Sequence, residues 1–564
     1  MTPSNVSIFK RFFSLLQPDS SEIKNIYLFA ILSGILSLGL PLGIQMIISF
    51  IQLGQISASW LVLVLLVSLA IGFSGVLTIY QLRITENLQQ RIFTRSTFEF
   101  VARIPQMKLL ETLKLNAGDL TNRFFDTVTL QKGLSKLLID FTAASLQIVF
   151  GLVLLSFYHS FFIFLGILLL LMLYLIVRLT FKEGYESSLK ESSHKYKIAS
   201  WISNVFNAKI SFKMSAQNNY NVDNANGYLH NYLGARDNHF KVLVKQYTFL
   251  ILFKITIALA LLIVGGLLVI NQQLNIGQFV ASEIIILLVL SSVEKLIISL
   301  DIIYDVFTST EKIGQATDIP LESYHGAIIE KATENGISIV LNELSFHSPI
   351  FTKNSLNSVS FSIEPNEQVC IVSDTSLTVN SLFYLLTGIC NKQSGTIAMD
   401  NIPLENLNIQ ELRSQIGTVL VSDQLIDVSI EDNIRFGNQS IELSEISALM
   451  EGLGMTNFVD QCIEKYTTKL NNEIHFIPKD AIIKLLYARA IIKKPRLLLL
   501  DEPTVGMTIG QKQPLLSHIE QLNNTTVLIA SNDLDILKMV DRIVKFEQGK
   551  LVFSGNYEAF SKLY

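Results

Sequence analysis

The stretch "LLLLDEPTVG" runs from Leu497 to Gly506 and decides the class of the C-terminal half of the chain. Its leucine run followed by two acids predicts a buried strand with carboxylates at its carboxyl end. From Ile337 onward, short β-branched runs alternate with helical stretches, which is typical of an α/β domain. Upstream, "VSDTSLTVNS" (Val372–Ser381) follows another apolar run and contains neither glycine nor lysine. What the predicted sheet can bind depends on this second stretch.

The first half has the composition of a membrane domain. Of the 564 residues, 49% are hydrophobic and only 16% are charged, and the mean hydropathy is +0.41. Apolar blocks that can cross about 30 Å of hydrocarbon as helices are confined to residues 1–305. The six predicted spans are Ile26–Phe50, Trp60–Leu82, Leu137–Tyr158, Phe161–Phe181, Tyr247–Ile270 and Ile276–Leu300. The formal net charge of -4 does not favour nucleic-acid binding.

The basic residues give the spans an orientation. The first, third and fifth connections, "IQLGQISAS", "SFYHS" and "NQQLN", contain no Lys or Arg, whereas the opposite connections contain many. Because positive charge accumulates on the cytoplasmic side, both termini and the two long connections (residues 83–136 and 182–246) are expected in the cytoplasm. Apolar residues recur at helical spacing through both connections, which predicts membrane helices that continue into the cytoplasm. Residues 1–24 are expected to form an interfacial helix stopped at Pro18.

Lys254, Glu283 and Glu294 are charged residues inside the predicted spans. If the last two spans form a hairpin that turns near Gln273, Lys254 and Glu294 lie at equal depth and can form an ion pair. Intramembrane charges are costly unless they are paired or face a wet cavity. The pair either fixes the packing of the helices or lines a substrate cavity, and both alternatives stay open.

Six spans with two long cytoplasmic connections, followed by an α/β domain, resemble a half-transporter of the ABC exporter superfamily. "NAGDLTNRF" (Asn116–Phe124) is similar to the G-E-L-x-x-R stretch of that family's first cytoplasmic loop, and "YHSFFIF" resembles its type I secretion branch. The resemblance implies an α-helical six-span membrane domain of the ABC exporter type followed by an α/β P-loop-like ABC nucleotide-binding domain. The expected parts are the interfacial helix (1–24), the membrane domain (25–320), a linker (321–336) and the nucleotide-binding-like domain (337–564).

The resemblance also implies partners, a location and cofactors. The family pairs two halves, so a homodimer or a heterodimer with another half-transporter is expected in the lipid bilayer. The location would be a bacterial plasma (inner) membrane, with a periplasmic adaptor as a partner in the secretion branch. ATP and Mg²⁺ are the cofactors of the family, and each ATP lies between the phosphate loop of one half and the signature of the other.

The family's phosphate-loop pattern, G-x-x-G-x-G-K-S-T, falls on this chain without a gap. The positions of its glycines, lysine and hydroxyls are occupied by Ser373, Ser376, Thr378, Val379, Asn380 and Ser381, in that order. Such a loop needs backbone N–H groups bent around phosphate and a cation for the terminal phosphates. The lysine position is Val379, and no glycine lies between Gly336 and Gly388, so the bend loses its conformational freedom.

The other nucleotide motifs are altered in the same way. The metal-contacting glutamine, the signature L-S-G-G-Q and the switch histidine are replaced at Val421, at Pro478, Lys479 and Asp480, and at Asn532. Pro478 removes an N–H at the position where the helix would grip a partner's phosphate. Asn532 lacks the switchable donor and acceptor of imidazole.

Asp501 and Glu502 remain at the positions of the magnesium ligand and the general base. Removal of one preorganised group costs about 10²–10³ in rate, and several groups are absent here, so Glu502 has little to act on. The strand is needed for the sheet whether or not ATP binds. We therefore expect a pseudo-ATPase and assign no cofactor and no metal site.

Three functions are compatible with these residues. The first is a transporter subunit whose own nucleotide domain is inactive. The second is a non-transporting membrane scaffold or regulator that uses the ABC fold as a dimer interface. The third is an ATP-driven exporter with a divergent site, which the phosphate loop does not favour.

Overall fold

A computed structural model describes residues 8–52, 58–112, 117–215, 219–328, 335–348, 354–470 and 476–563. The chain divides into two compact units, Met1–Met107 with Glu111–Leu321 and Lys108–Leu110 with Glu322–Tyr564. Lys108–Leu110 belong to the second unit because Leu109 and Leu110 pack against its apolar core, whereas the sequence predicts a continuous domain over 25–320. Residues 329–334 of the predicted linker lie outside the described residues.

The first unit is helical. Its helices are α1 (Ile8–Leu16), α2 (Ser20–Ser37), α3 (Gly39–Gln52), α4 (Ala58–Arg103), α6 (Ala117–Lys136), α7 (Thr142–Ser156), α8 (Ser160–Asn207), α9 (Lys209–Met214), α10 (Tyr220–Ala260), α11 (Gly266–Ile270) and α12 (Ile276–Thr317). The short helix α5 (Leu109–Thr112) is divided between the units, because Leu109 and Leu110 belong to the second and the residues from Glu111 onward to the first. Short π-helical segments, Leu137–Phe141 and Leu261–Gly265, join α6 to α7 and α10 to α11. Within the described ranges, six helical segments are long and apolar enough to cross a membrane.

Four of these helices are much longer than a bilayer requires. Helices α4, α8, α10 and α12 contain 46, 48, 41 and 42 residues. At about 1.5 Å per residue each exceeds 60 Å, about twice the hydrocarbon thickness. The helical periodicity of the two long connections predicts this extension.

The first span is interrupted in a way that its hydropathy does not show. Helix α2 ends at Ser37 and α3 begins at Gly39. Pro41 has no N–H to donate to the carbonyl of Ser37, so a continuous helix would lack that hydrogen bond. A single apolar run therefore folds as two helices.

Helix α12 is the centre of the first unit. Half of the residues in its most apolar 18-residue stretch are buried, whereas only 6% are buried in the corresponding stretch of α4. The ring of Tyr304 is fully buried, and a Cβ added to Gly184 of α8 would lie 2.4 Å from its Cζ atom. The close approach of α8 and α12 therefore requires glycine at position 184.

The second unit is α/β. Its strands are β1 (Ile339–His347), β2 (Asn354–Ile363), β3 (Gln368–Ser373), β4 (Ser394–Met399), β5 (Ile402–Pro403), β6 (Ile416–Val419), β7 (Leu497–Asp501), β8 (Thr526–Ala530), β9 (Arg542–Glu547) and β10 (Lys550–Gly555). Its helices are α13 (Ser376–Leu386), α14 (Ile409–Ser414), α15 (Ile430–Arg435), α16 (Leu443–Gly452), α17 (Thr456–Gln461), α18 (Lys479–Ile491), α19 (Ile509–Glu520), α20 (Leu534–Met539) and α21 (Tyr557–Leu563).

Two sheets organise these elements. An antiparallel sheet has the order β2-β1-β4-β5, and a six-stranded sheet has the order β10-β9-β3-β8-β7-β6. The strands β9, β3, β8, β7 and β6 are parallel, and β7 and β8 are fully buried. Buried parallel strands explain why "LLLL" shows no polar alternation. The predicted fold class, a six-span helical domain followed by an α/β domain, is confirmed.

Candidate functional site

The two quoted stretches end at the same edge of the six-stranded sheet. Asp501, the last residue of β7, pairs with Ala530 of β8, and Ala530 pairs with Ile371 of β3. Neighbouring strands lie about 4.8 Å apart, so the ends of β3 and β7 are separated by roughly 10 Å. Ligands of open parallel sheets bind at this carboxyl edge. The topology of a nucleotide site is present, and its side chains decide what it can hold.

The segment at the phosphate-loop positions is helical where a phosphate cradle would need an open loop. Strand β3 ends at Ser373 and α13 begins at Ser376, so only Asp374 and Thr375 connect them. The Ser373 hydroxyl donates to the carbonyl of Thr375 at 3.0 Å. The hydroxyls of Thr375 and Thr378 lie 3.1 Å apart. These polar groups bond to each other within the turn.

Val379 is directed into the protein interior. Its side chain is 5% exposed and belongs to the apolar cluster that includes Leu382 and Phe383. Thr378 and Ser381 are also buried, at 2% and 3%. A cation placed at 379 without rearrangement would lie in the core, away from the sheet edge. Valine at the lysine position therefore belongs to the buried apolar face of α13.

Asp501 is buried without compensation. Its side chain is 8% exposed, and Oδ2 has no hydrogen-bond partner within the described part of the chain. Burial, followed by repulsion from Glu502, raises the pKa of Asp501 to about 6. A carboxyl in this position is stabilised in its protonated form or by a cation.

Glu502 has a strained backbone and a polar neighbour. Its φ of 46° lies in the left-handed region, and its N–H donates to the carbonyl of Ala530 at 2.9 Å. The Ser531 hydroxyl donates to Glu502 Oε2 at 3.2 Å. Burial raises the pKa of Glu502 in spite of that hydrogen bond.

Four of the remaining predicted positions are exposed, and the fifth, Asp480, is hydrogen-bonded within the second unit. Val421 is 72% exposed in the turn after β6, and Asn532 is exposed after β8. Pro478 caps α18 without a side-chain hydrogen bond, and Lys479 is exposed. Asp480 Oδ2 accepts a hydrogen bond from Gln511 Nε2 at 3.0 Å. Asp480 therefore joins the first turns of α18 and α19.

Two residues that no motif singles out complete the edge. Asp533 accepts hydrogen bonds from Thr504 at 2.9 Å and from Lys512 at 2.9 Å. Burial opposes ionisation of Asp533, but these bonds and the backbone N–H of Asp535 outweigh it and lower its pKa. Ser531 bonds to Glu502 and also accepts from the N–H of Asp533 at 3.1 Å. Ser531 and Asp533 directly follow β8. In the sequence, only this place at the end of an apolar strand indicates that they lie at the site.

These residues do not fit ATP with Mg²⁺. The orphaned Asp501 oxygen suits a cation, but the segment opposite supplies only the N–H groups of a helix start, without a cation, and the exposed carboxylate of Asp374. Asp374 Oδ2 accepts from the N–H of Gln548 at 3.0 Å, which fixes a negative charge at the mouth of the site. A polyphosphate at this edge would meet carboxylates and no lysine from the loop.

Comparisons with known proteins agree with this architecture. Residues 356–505 match the ABC transporter family. The chain carries an ABC transporter domain.

The relatives and the solved structure extend the likeness to the membrane helices. The alpha-hemolysin translocation ATP-binding protein HlyB of Escherichia coli is 25% identical over 54% of this chain and 43% of its own length. The lactococcin-A transport/processing ATP-binding protein LcnC of Lactococcus lactis is 22% identical over 83% of this chain and 65% of its own length. The chain thus spans about half the length of the curated relatives it matches. A bacterial Atm1-family ABC exporter with ATP bound has a TM-score of 0.79, 18% identity and coverage of 99% and 97% of the two chains. The ABC transporter domain therefore follows six apolar helices in an ABC exporter fold.

A second cluster lies in the helices that precede the ABC transporter domain. Lys254 Nζ donates to Glu294 Oε2 at 2.6 Å, and the Tyr247 hydroxyl donates to Glu294 Oε1 at 3.3 Å. The side chains of Lys254 and Glu294 are 33% and 30% exposed. Lys295, which no motif singles out, is exposed beside them, and Glu283 is half-buried on the same helix. The pair joins α10 to α12, and its exposed side can contact a cavity or a partner.

Proposed function

We propose that this chain is a subunit of an ABC exporter-type transporter in a bacterial inner membrane and that its ABC transporter domain does not hydrolyse ATP. Six apolar helices, the exporter fold and the relatives HlyB and LcnC support membrane transport. The asymmetry of basic residues supports cytoplasmic termini. We infer that the subunit works as a dimer, because six spans rarely enclose a pathway alone.

One observation carries the pseudo-ATPase proposal. Helix α13 begins at Ser376, and Val379, which stands at the lysine position, is buried in the apolar core. A cation at this position cannot reach a phosphate at the sheet edge unless the first turn of α13 unwinds and the core opens. The lysine position therefore belongs to the apolar core and not to the surface of the site.

Nucleotide binding and hydrolysis by the purified full chain test this proposal. We expect no saturable binding of a fluorescent ATP analogue and no phosphate release above that of Glu502→Gln. ATP binding in the micromolar range, with turnover that Glu502→Gln abolishes, would refute it. The third function, an ATP-driven exporter with a divergent site, would then be the correct one.

A non-transporting scaffold is the second candidate function. It is favoured by apolar Val421 and Val505, which are exposed where catalysis would require polar groups. Flux of substrate by the reconstituted protein would support the transporter. Absence of flux with every partner, including a periplasmic adaptor of a secretion system, would support the scaffold.

A further inference from the structure

A polar cavity lies beside helix α4 where the helix leaves its predicted membrane span. Its volume is about 630 Å³, which is within the range of sites that bind small molecules. The residues that line it are all polar or charged, and all but the first belong to α4: Asp19, Asn87, Gln90, Arg91, Thr94 and Arg95. Asn87, Arg91 and Arg95 follow one another at four-residue spacing, so they share one face of the helix. We call this space the arginine cavity.

The arginine cavity adjoins the layer of lipid headgroups. The predicted span of α4 ends at Leu82, five residues before Asn87, and the first predicted span begins at Ile26, seven residues after Asp19. At about 1.5 Å per residue, these separations are about 8 and 10 Å. The headgroup layer is about 5–8 Å thick on each side of the hydrocarbon, and long arginine side chains near helix ends extend back to it. A phosphate in that layer is therefore within reach of Asn87 and Arg91.

Helix α1 is an independent indication that this level of the first unit faces the membrane surface. Phe9 and Phe13 lie one turn apart on α1, and their side chains are 51% and 65% exposed. An exposed aromatic face on a short amphipathic helix is typical of a helix that lies in the membrane interface. The carbonyl of Leu15 in the last turn of α1 accepts a hydrogen bond from Arg95 Nη2 at 2.8 Å. The interfacial helix therefore lies directly beside the arginine cavity.

The two arginines are held in place and still have N–H donors for a ligand. Arg95 Nη1 donates to Asp19 Oδ2 at 3.2 Å, in addition to the bond from Nη2 to the Leu15 carbonyl. Arg91 donates to the carboxylate of Glu22, and its side chain is 58% exposed. A guanidinium has five N–H donors, so within the described ranges these bonds use two donors of Arg95 and one of Arg91. Arginine is the side chain that binds phosphate through paired N–H donors.

We propose that the arginine cavity binds the phosphate group of a membrane phospholipid. Arg91 and Arg95 contact the phosphate oxygens, and the amide of Asn87 donates from the membrane side. Asp19 and Glu22 orient the two guanidinium groups. A lipid is favoured over a soluble phosphate compound because the cavity adjoins the headgroup layer and the exposed aromatic face of α1. The inference does not depend on whether the ABC transporter domain hydrolyses ATP.

Thermal unfolding of the delipidated full chain in detergent tests the site. Added phosphatidylglycerol should raise the unfolding temperature and reach saturation, because a ligand that binds only the folded protein stabilises it. Diacylglycerol with the same acyl chains lacks the phosphate and should stabilise the protein much less. Millimolar inorganic phosphate supplies the phosphate without the acyl chains and should not replace the lipid.

Substitutions in α4 supply the second arm of the test. Arg91→Gln should raise the phosphatidylglycerol concentration for half-maximal stabilisation at least about tenfold, because charge-assisted N–H bonds to the phosphate are lost. Asn87→Ala removes a neutral donor and should raise it about threefold. Arg103→Gln is the matched control, because Arg103 also bonds to a glutamate of α4, Glu99 at 3.2 Å, but does not line the cavity. It should leave the lipid response unchanged. Unfolding of each variant without lipid verifies that it is folded.

Three results would overturn the inference. An equal lipid response of Arg91→Gln and Arg103→Gln would show that the arginine cavity is not the site. Equal stabilisation by diacylglycerol would show that the acyl chains and not the phosphate are recognised. Stabilisation by inorganic phosphate that leaves no further effect of the lipid would assign the cavity to a soluble phosphate compound. All these measurements are made without nucleotide, so ATP hydrolysis by the chain would refute the pseudo-ATPase and leave the lipid site standing.

Discussion

Replacing Asp501 with asparagine distinguishes a catalytic carboxylate from an uncompensated one. The ordinary pKa of an aspartate, 3.8, rises to about 6 at Asp501 because the carboxyl is buried and lies beside Glu502. The difference corresponds to about 3 kcal/mol by which ionisation destabilises the folded state above pH 6. Asparagine has the same shape and cannot ionise. Asp501→Asn should therefore stabilise the protein at pH 8 by up to about 3 kcal/mol.

The sign of the pH dependence is fixed by the raised pKa. Below pH 3.8 the carboxyl is protonated in both folded and unfolded states, so the substitution has little effect there. Between pH 3.8 and about 6 the folded protein binds the extra proton, and the stability of the unsubstituted chain falls as pH rises. Thermal unfolding in detergent, followed at pH 4.5 and pH 8, measures the difference. At about 2–4 °C per kcal/mol, the gain at pH 8 is up to roughly 6–12 °C.

Asp533→Asn is the matched control at the same sheet edge. Asp533 is bonded to Lys512 and Thr504, and its pKa is lowered, so its ionisation stabilises the folded state above its ordinary pKa. This variant should lower the unfolding temperature at pH 8. If Asp501→Asn also destabilises at pH 8, or if its effect is the same at both pH values, Asp501 is compensated by a bound cation or another partner and the reasoning fails.

The other predictions concern packing and the intramembrane pair. Val379→Lys should destabilise the protein by about 3–5 kcal/mol because it buries an unpaired charge. The exposed control Val421→Lys should change stability by less than about 0.5 kcal/mol. A stable Val379→Lys protein that binds ATP would contradict the buried position of Val379. Lys254→Glu should lower the stability of the fold by about 1–2 kcal/mol through repulsion with Glu294. Adding Glu294→Lys should restore most of that stability. A double variant that is no more stable than the single one would show that the two residues do not interact. Gly184→Ala should lower the free energy of unfolding by about 1–3 kcal/mol because the added methyl group clashes with Tyr304. Gly234 has open space around it, so Gly234→Ala should stabilise α10 by about 0.5–1 kcal/mol. Equal effects of the two substitutions on the unfolding temperature would refute the packing argument.

The sequence predicts the architecture well because its strongest patterns are long. Six apolar blocks, and helical spacing through the connections, determine the helices of the first unit. The leucine run of β7 likewise predicts a buried strand that ends in two carboxylates, and the alternation of short β-branched runs with helical stretches predicts an α/β domain. The break at Leu38 escapes a hydropathy pattern because it depends on one missing N–H, that of Pro41. The assignment of Leu109 and Leu110 to the second unit depends on packing between distant segments, which local periodicity does not encode.

The candidate site is predictable by position but not by conformation. Matching the motif positions identifies Ser373–Ser381 as the phosphate-loop positions, yet it does not show that the helix begins at Ser376 or that Val379 is buried. Those facts follow from the side chains of α13, which pack on β3 and on the antiparallel sheet. Ser531 and Asp533 flank Asn532, and their bonds to Glu502 and Lys512 become visible only with the strands aligned.

ATP binding to the purified full chain in nanodiscs bears on the proposed pseudo-ATPase more than any other measurement. Equilibrium titration with ATP in the presence of Mg²⁺, followed by calorimetry and by phosphate release, should show no saturable binding up to millimolar nucleotide and no turnover. The same result is expected for Asp501→Asn and Glu502→Gln. Micromolar binding by the unsubstituted chain, lost in Asp501→Asn, with hydrolysis lost in Glu502→Gln, would contradict it.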